Sequence, residues 1–403
     1  MIVHGFASTD LAPPDTGASQ RLFGLYRGLA RHHATEVLAM VPNRHPGPRT
    51  ETVAGVRLTR RKAWYTALAW RLERAGLAPM FVAAHAHDTM ASALLRALDG
   101  RPDVVMADLA LTGVLSRARV ALTVYHAHNV ELDHFASAGP RVAGRGWWAR
   151  DLRALEARAC AHAALVVTVS EEDAARMSEL YRVPAARLLV VPNGYDETVL
   201  RPATANERES ARAAIGVTGD ERVALFLGSD VPHNRTALRF LIERVMPRLR
   251  GVRLLAAGSV TSAFLGRREP WLTLRRAARD VAPWLAAADL GLNPVTGGAG
   301  SNVKLPTYLA GGLAVVSTAH GLRGYADLAP WVTVATPDNF ADAISGISPG
   351  WAARGGAAPA PLARYEWGRL GELLGERFAA ETGARGVPAI VADADRAAGG
   401  ARA

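Results

Sequence analysis

Short apolar runs alternate with amphipathic stretches along almost the whole chain, and this alternation constrains the fold more than any other feature. Apolar runs bounded by turn residues indicate buried strands, and apolar residues at helical spacing between them indicate crossover helices. The strands predicted in the first half are residues 1–6, 36–41, 104–107, 121–125, 165–169 and 188–191. Those predicted in the second half are residues 223–227, 254–257, 290–292 and 313–316. The pattern predicts an α/β protein with parallel sheets.

The alternation is interrupted once, by a polar stretch over residues 195–209. A chain of 403 residues is too long for one ordinary hydrophobic core. We therefore predict two doubly wound, Rossmann-like domains, residues 1–197 and 198–385, whose post-strand loops face one cleft. A terminal helix is predicted from apolar residues at helical spacing, namely Trp367, Leu370, Leu374 and Phe378. Residues 386–403 are rich in small residues and predict a frayed tail.

The composition limits the class of protein. Cys160 is the single cysteine, so a disulfide framework is excluded and a reducing compartment is expected. No apolar run reaches the roughly 18 residues of a spanning helix, and the first residues lack signal-peptide features, which predicts a cytoplasmic protein. The net charge of +10 fits either an anionic partner or a compositional bias, but no nucleic-acid motif accompanies it. His126 and His128 have no third ligand nearby, so no metal is expected.

A glycine-rich loop precedes a short predicted helix within residues 294–318. Gly311 and Gly312 end this helix, and an apolar strand follows. Amide N–H groups at such a helix start are unpaired and carry partial positive charge, so the loop suits a phosphate. Lys304 adds a mobile cation to the same turn. An ordinary helix between two loops can begin with the same residues, so the local pattern leaves both interpretations open.

Five polar segments follow predicted strands in a distinctive order. They read Pro-Pro-Asp-Thr-Gly-Ala-Ser-Gln-Arg (13–21), His-Asn-Val-Glu (128–131), Val-Pro-Asn-Gly-Tyr-Asp (191–196), Gly-Ser with Pro232 and Asn234 (228–234), and Gly-Ser-Asn-Val-Lys-Leu-Pro-Thr-Tyr-Leu (300–309). Together they resemble the motifs of the family-4 retaining glycosyltransferases of the GT-B fold. The resemblance covers nearly the whole chain and depends on the order and spacing of the five segments, because none is decisive alone.

The resemblance implies transfer of a sugar from a nucleotide-diphosphate sugar to a saccharide, lipid-linked or small-molecule acceptor. It implies retention of configuration, and no metal or other cofactor. His128 would contact the donor sugar, while Lys304 and Arg235 would stabilise the leaving diphosphate. The residues that it places around the donor are Gly17, Ala18, Gly228, Ser229, Asn234, Gly300, Ser301, Asn302, Val303 and Thr307. Asn129 and Glu131 fall on the acceptor side, although Glu131 also fits an ordinary helix start.

Several positions depart from the family's pattern. The family usually has a glutamate at Thr307, where it binds both ribose hydroxyls, and an earlier one at Ala299. Its basic pair would fall at Ser229 and Asn234, with Arg235 one residue away as a substitute. Losing a charge-assisted bond to ribose costs on the order of 1.5–3 kcal/mol of donor binding. The alternative is therefore a relative without turnover that serves as a binding or regulatory partner of another transferase. A nucleotide-sugar 2-epimerase fits less well, because its acidic catalytic residues have no evident counterpart.

Two stretches mix cations with aromatic residues. Residues 60–65 read Arg-Arg-Lys-Ala-Trp-Tyr and continue to Trp70 and Arg71, and residues 145–150 read Arg-Gly-Trp-Trp-Ala-Arg. Such mixtures are typical of membrane-surface segments. The sequence thus predicts peripheral membrane contact, which would suit a lipid-linked acceptor. In the alternative interpretation the tryptophans pack inside and the arginines are solvated.

Overall fold

The first half of the chain forms one largely parallel sheet. The structure is a computed structural model, and it describes residues 1–14, 16–217, 220–276, 280–298, 300–348 and 360–383. The strands of this sheet are β1 (Ile2–Ala7), β2 (Ala34–Val41), β3 (Thr50–Val53), β4 (Val56–Lys62), β5 (Val104–Ala107), β6 (Leu122–His126), β7 (Leu165–Thr168) and β8 (Leu188–Val190). They lie in the order β3-β4-β2-β1-β5-β6-β7-β8, and among these pairs β3–β4 is antiparallel. The α/β architecture predicted from the alternation is confirmed.

Helices cover both faces of this first sheet. They are α1 (Gly17–Ala30), α2 (Trp64–Arg74), α3 (Ala83–Leu95), α4 (Gly113–Arg117), α5 (Glu131–Ala138), α6 (Arg145–His162) and α7 (Glu171–Tyr181). Thr16 caps α1, because its hydroxyl accepts from the Ser19 amide and its own amide donates to Oγ of Ser19. The predicted stripe of α1 is buried against the sheet, namely Leu22, Leu25, Tyr26 and Leu29.

The second half forms another parallel sheet. Its strands are β9 (Arg222–Leu227), β10 (Val252–Ala257), β11 (Leu272–Arg275), β12 (Leu290–Asn293), β13 (Ala314–Ser317) and β14 (Val332–Val334), in the order β11-β10-β9-β12-β13-β14. Its helices are α8 (Ala205–Ala214), α9 (Pro232–Phe240), α10 (Ala282–Ala287), α11 (Lys304–Ala310) and α12 (Phe340–Gly346). Because the strands of each sheet run parallel, apart from β3 at the edge of the first sheet, their carboxyl ends gather the following loops at one edge.

The last helix, α13 (Trp367–Thr382), returns to the first domain and packs on α1. Its apolar stripe is buried in the core beneath the first sheet. The two helices cross at Gly28 and Gly371, where a methyl group on Gly28 would lie 2.8 Å from the Gly371 Cα atom. Larger residues would therefore force the helices apart. The tail predicted for residues 386–403 lies outside the described residues.

Candidate functional site

Lys304 is buried at the carboxyl edge of the second sheet, as the first residue of α11. Its Nζ donates to Oδ1 of Asn234 at 2.6 Å and lies 5.1 Å from the centre of the Phe226 ring. Asn234 in turn donates from Nδ2 to the Ser229 carbonyl oxygen at 3.0 Å. Strand β9 and the start of α9 thus fix the ammonium in place through one amide side chain.

The charge of Lys304 has no acidic counterpart within the described residues. No described carboxylate forms an ion pair with it. Burial lowers the pKa of Lys304 to about 7, because the charged ammonium loses its hydration. The site therefore favours binding of an anion, which would stabilise the charged ammonium in place of the water that it has lost.

The turn before α11 differs in one respect from the sequence-based prediction. The α-helix begins at Lys304 rather than at Ser301, and the first turn is closed by weak bonds such as that from the Leu305 amide to the Asn302 carbonyl oxygen at 3.3 Å. The amides of residues 302–304 precede the regular helical bonds and can donate to a ligand. Since α11 has only seven residues, the principal positive charge at this turn is Lys304 rather than a helix dipole.

The first domain holds this turn from across the cleft. Asn193 donates from Nδ2 to the carbonyl oxygen and to Oγ of Ser301, at 2.9 and 3.0 Å. The Tyr325 hydroxyl of the second domain donates to the Asn193 carbonyl oxygen at 3.1 Å. An ion pair between Arg323 and Asp173 adds a further link between the domains. The turn thus faces the opposite domain.

The start of α1 belongs to the same cleft. Gly17 and Ala18 are exposed there, and a methyl group at Gly17 would lie 3.8 Å from Cγ2 of Val303. Gly300 has a φ of +74° and lies against the opposite domain, at Asn129 and His128. The structure therefore brings the predicted segments at 17–18, 128–129 and 300–304 together.

His128 and His126 pack edge to face, with their ring centroids 4.9 Å apart. Burial, with Arg21 nearby, lowers the pKa of His128 to about 3. His128 is therefore neutral at pH 7, so it can exchange hydrogen bonds with a sugar but supplies no positive charge. His126 accepts from Arg21 at Nε2, which occupies that lone pair. Among the described residues there is no group of three or more side chains suited to a metal ion.

Glu131 is the first residue of α5 and accepts from Nδ2 of Asn129 at 3.3 Å. Its amide donates to Glu156, a buried carboxylate, at 2.9 Å. Desolvation and then the nearby Glu156 raise the pKa of Glu131 to about 8. Both effects favour the protonated form of Glu131, in which the side chain can donate a hydrogen bond. The acceptor-side role of Asn129 and Glu131 stays a prediction.

Two further predicted site residues are engaged elsewhere. Arg235 forms a two-point ion pair with Asp230, with donor–acceptor distances of 2.5 and 2.7 Å. Its charge is thereby offset, and it would have to leave Asp230 to reach a donor. The Thr307 hydroxyl donates to the Val303 carbonyl oxygen at 2.9 Å within its own helix. It can still accept a hydrogen bond, but it lacks the charge of the glutamate that the resemblance implies at this position.

Arg21 is a site residue to which the sequence-based reasoning gave no role. It is fully buried on α1 and donates to His126 Nε2 at 2.9 Å, to the Pro192 carbonyl oxygen at 3.0 Å and to Asn193 Oδ1 at 3.2 Å. It therefore orients Asn193, the residue that donates hydrogen bonds to Ser301 in the turn before α11. The signal in the sequence was a cation on the buried stripe of α1, next to Leu22, where charged residues are rare unless paired.

Replacing Arg21 by methionine is expected to lower the free energy of unfolding by about 3 kcal/mol, because three buried acceptors lose their donor. Urea denaturation measures the change. The matched control is Arg369→Met on α13, whose side chain is 68% exposed and is expected to matter little. Equal losses in the two variants would contradict the role given to Arg21.

Two Rossmann-like domains that face one cleft, with the last helix returning to the first domain, define the class of GT-B glycosyltransferases. The comparisons with known families agree. Residues 16–194 match the glycosyl transferase 4-like domain, and residues 221–348 match the glycosyl transferases group 1 domain. The chain belongs to the glycosyltransferases of the GT-B type, which confirms the predicted GT-B fold and the glycosyltransferase class.

Individual known proteins are also similar to this chain. The D-inositol 3-phosphate glycosyltransferase of Mycobacterium tuberculosis is 32% identical over 100 residues, which are 25% of this chain and 20% of that protein. Sucrose-phosphate synthase from Thermosynechococcus elongatus superposes with a TM-score of 0.70 at 15% identity, over 96% of this chain and 100% of the other. HepE of Anabaena, solved with UDP and glucose, has a TM-score of 0.63 at 15% identity, over 94% and 100% of the chains. At these identities the solved structures establish the fold alone.

Proposed function

We propose that the protein transfers a sugar from a nucleotide-diphosphate sugar to an acceptor hydroxyl, with retention and without a metal or another cofactor. The observation that carries the proposal is the buried ammonium of Lys304, which belongs to the first residue of α11 and has no carboxylate partner among the described residues. A pyrophosphate supplies the anion that this position lacks. The first domain, through Asn193, holds the turn ready for it.

The proposed chemistry uses fixed charges rather than a protein nucleophile. The bond between the sugar's anomeric carbon and the phosphate oxygen breaks, and its electron pair leaves with the diphosphate. A bond to the acceptor oxygen forms, and the acceptor hydroxyl passes its proton to the leaving phosphate oxygen. Negative charge grows on the leaving diphosphate during this step. Lys304 and the amides of residues 302–304 stabilise that charge, and a preorganised site does so without reorganisation. Neutral His128 exchanges hydrogen bonds with the donor sugar.

The relatives support a nucleotide sugar as donor. HepE of Anabaena has been solved in complex with UDP-glucose, and sucrose-phosphate synthase shares its fold with this chain. The acceptor that we propose is a hydroxyl of a saccharide, a lipid-linked molecule or a small molecule. For the compartment we propose the cytoplasm, with peripheral contact at a membrane. No helix in the described part of the chain has both the length and the apolar character to cross a bilayer.

A panel of nucleotide sugars tests this function. Each sugar nucleotide is first screened for its effect on the melting temperature, since a ligand that binds only the folded state stabilises it. The stabilising ones are then assayed for transfer and for slow hydrolysis of the donor. Release of nucleoside diphosphate with any donor supports the transferase. Lack of stabilisation by every nucleotide sugar would overturn the proposal.

A non-catalytic partner of another transferase is the second candidate. The observation that favours it is that neither Thr307 nor Arg235 is available as a charged group for the donor. The Thr307 hydroxyl bonds within its own helix, and the charge of Arg235 is neutralised by Asp230. This candidate predicts tight binding of a nucleotide sugar with neither transfer nor hydrolysis. The assays of the panel separate the two candidates directly.

Replacing Thr307 by glutamate is expected to tighten nucleotide binding by roughly ten- to a hundredfold, because a carboxylate adds charge-assisted bonds to ribose. Isothermal titration calorimetry measures the dissociation constant. Thr307→Gln is the control of equal size without the charge, and it should gain far less. If Thr307→Glu does not tighten nucleotide binding, the ribose side of the pocket differs in this chain from the common arrangement of the family.

A further inference from the structure

An exposed apolar surface lies on the first domain, away from the bonds that hold the cleft. Trp64, Trp70 and Trp147 are 64%, 50% and 59% exposed. Leu68, Leu77 and Met80 are exposed beside them in the chain. We name these six residues the aromatic surface. Contiguous exposed apolar patches mark interaction sites.

Helix α2 presents an outward face without acidic residues. Trp64, Leu68 and Arg71 lie on one exposed stripe at helical spacing, and Ala69 is buried on the opposite side. The guanidinium of Arg74 lies 4.7 Å from the centre of the Trp70 ring. The single acidic residue of α2 is Glu73, which accepts from the Met80 amide at 2.7 Å and forms no ion pair with Arg71 or Arg74.

The second predicted stretch adjoins α2. The Ala143 amide donates to the Gly76 carbonyl oxygen at 2.8 Å, which ties the turn before α6 to the end of α2. Trp147 packs on Trp148 with ring centroids 4.4 Å apart, and Trp148 packs on Phe81 at 6.0 Å. Two segments that are about seventy residues apart in sequence therefore meet at the end of α2.

The structure also corrects the sequence-based picture of this surface. Arg60, predicted as a membrane-facing cation, is buried and paired with Asp10 at 2.9 Å and Glu51 at 2.6 Å. The alternative, in which Trp64 and Trp70 pack inside, is wrong because both are exposed. The cations that remain beside the aromatic surface are exposed and form no ion pair among the described residues, namely Arg71, Arg74, Arg141 and Arg150.

We propose that the aromatic surface binds the headgroup region of an anionic lipid bilayer. Indole rings prefer that region because they combine an apolar body with a polar N–H, and unpaired arginines attract anionic headgroups. The absence of outward carboxylates on α2 gives the surface a charge complementary to such a bilayer. Helix α2 follows β4 at the carboxyl edge of the first sheet, so the bilayer would lie beside the acceptor side of the cleft. The inference deepens the proposed peripheral contact and is independent of the donor chemistry.

Vesicle flotation tests the proposal. The wild-type protein is mixed with vesicles of phosphatidylcholine alone or with phosphatidylglycerol added, at low and high salt. We expect binding only to the anionic vesicles, with weaker binding at high salt. The double variant Trp64→Ser and Trp147→Ser should lose at least about tenfold in partition coefficient, because two interfacial indoles are removed.

The matched control is Trp331→Ser, because Trp331 is a partly exposed tryptophan of the second domain. It should bind vesicles like the wild type. All three proteins are checked for equal melting temperature and for donor hydrolysis without lipid, so that a failure of donor chemistry is distinguished from a failure of membrane binding. Equal binding to neutral and anionic vesicles, no binding to either, or an equal loss in Trp331→Ser would overturn the proposal. If the aromatic surface bound another protein and did not bind vesicles, that result would also overturn the proposal.

Discussion

Replacing Lys304 by methionine is expected to lower kcat/KM for the donor by roughly a hundred- to a thousandfold, because the leaving diphosphate loses its cation. Methionine keeps much of the length of the side chain and removes the charge. The free energy of unfolding should stay the same or rise, since an ammonium buried without a carboxylate partner destabilises the fold. The variant therefore separates a functional loss from a structural one.

The chain offers a matched control, because Lys62 is the only other lysine in the sequence. Lys62 ends β4, is exposed and takes no part in the cleft contacts. Steady-state assays with a saturating acceptor, or donor hydrolysis without one, measure both variants. Equal activity of Lys304→Met and Lys62→Met would remove Lys304 from the site. A loss of activity accompanied by a large fall in stability would show that its role is structural.

Replacing Gly300 by alanine is expected to lower the transfer rate by roughly a hundredfold, because small displacements of a reacting group have effects of that size. A methyl group at this position would lie 2.5 Å from Oδ1 of Asn129 and 3.1 Å from the His128 carbonyl oxygen. The backbone φ of +74° also disfavours any side chain. The two domains could then no longer meet at the turn.

Gly297 in the same loop is the control for this variant. A methyl group there would have no heavy atom within 4 Å, so Gly297→Ala should change the rate less than about twofold. Both variants are assayed for transfer and for melting temperature. Equal rates for the two alanine variants would mean that contact between Gly300 and the first domain is not needed for transfer.

The buried strands were predictable, because a continuous run of apolar residues indicates a strand that is covered on both faces of its sheet. Strand β1 and the stripe of α1 follow directly from that pattern. Strands β3, β4, β11 and β14 were not predicted. The residues of β4 read Val-Arg-Leu-Thr-Arg-Arg-Lys, and Arg60 within it is buried only because Asp10 and Glu51 neutralise it. Whether a charged residue in a strand is buried depends on partners that are distant along the chain, and the local sequence does not reveal those partners.

The proximity of the loops at the candidate site was predictable, whereas the hydrogen bonds between them were not. Parallel strands bring their following loops to one edge, which placed Gly17, His128 and Lys304 in one cleft. The bond between Lys304 and Asn234, and that between Asn193 and Ser301, join residues far apart in sequence. Arg21 escaped notice for the same reason, because its three acceptors lie on segments that only the folded chain brings together.

The most direct measurement is the pKa of Lys304 by NMR on protein labelled at the lysine side chains. With only two lysines in the sequence, the Lys62→Met variant assigns the resonances. We expect the pKa of free Lys304 near 7, and a rise when the most stabilising nucleotide sugar binds its ammonium form. Donor affinity should therefore hold below pH 7 and fall as the pH rises above it. A Lys304 resonance that the saturating donor leaves unchanged at every pH would contradict the proposal that this side chain holds the diphosphate.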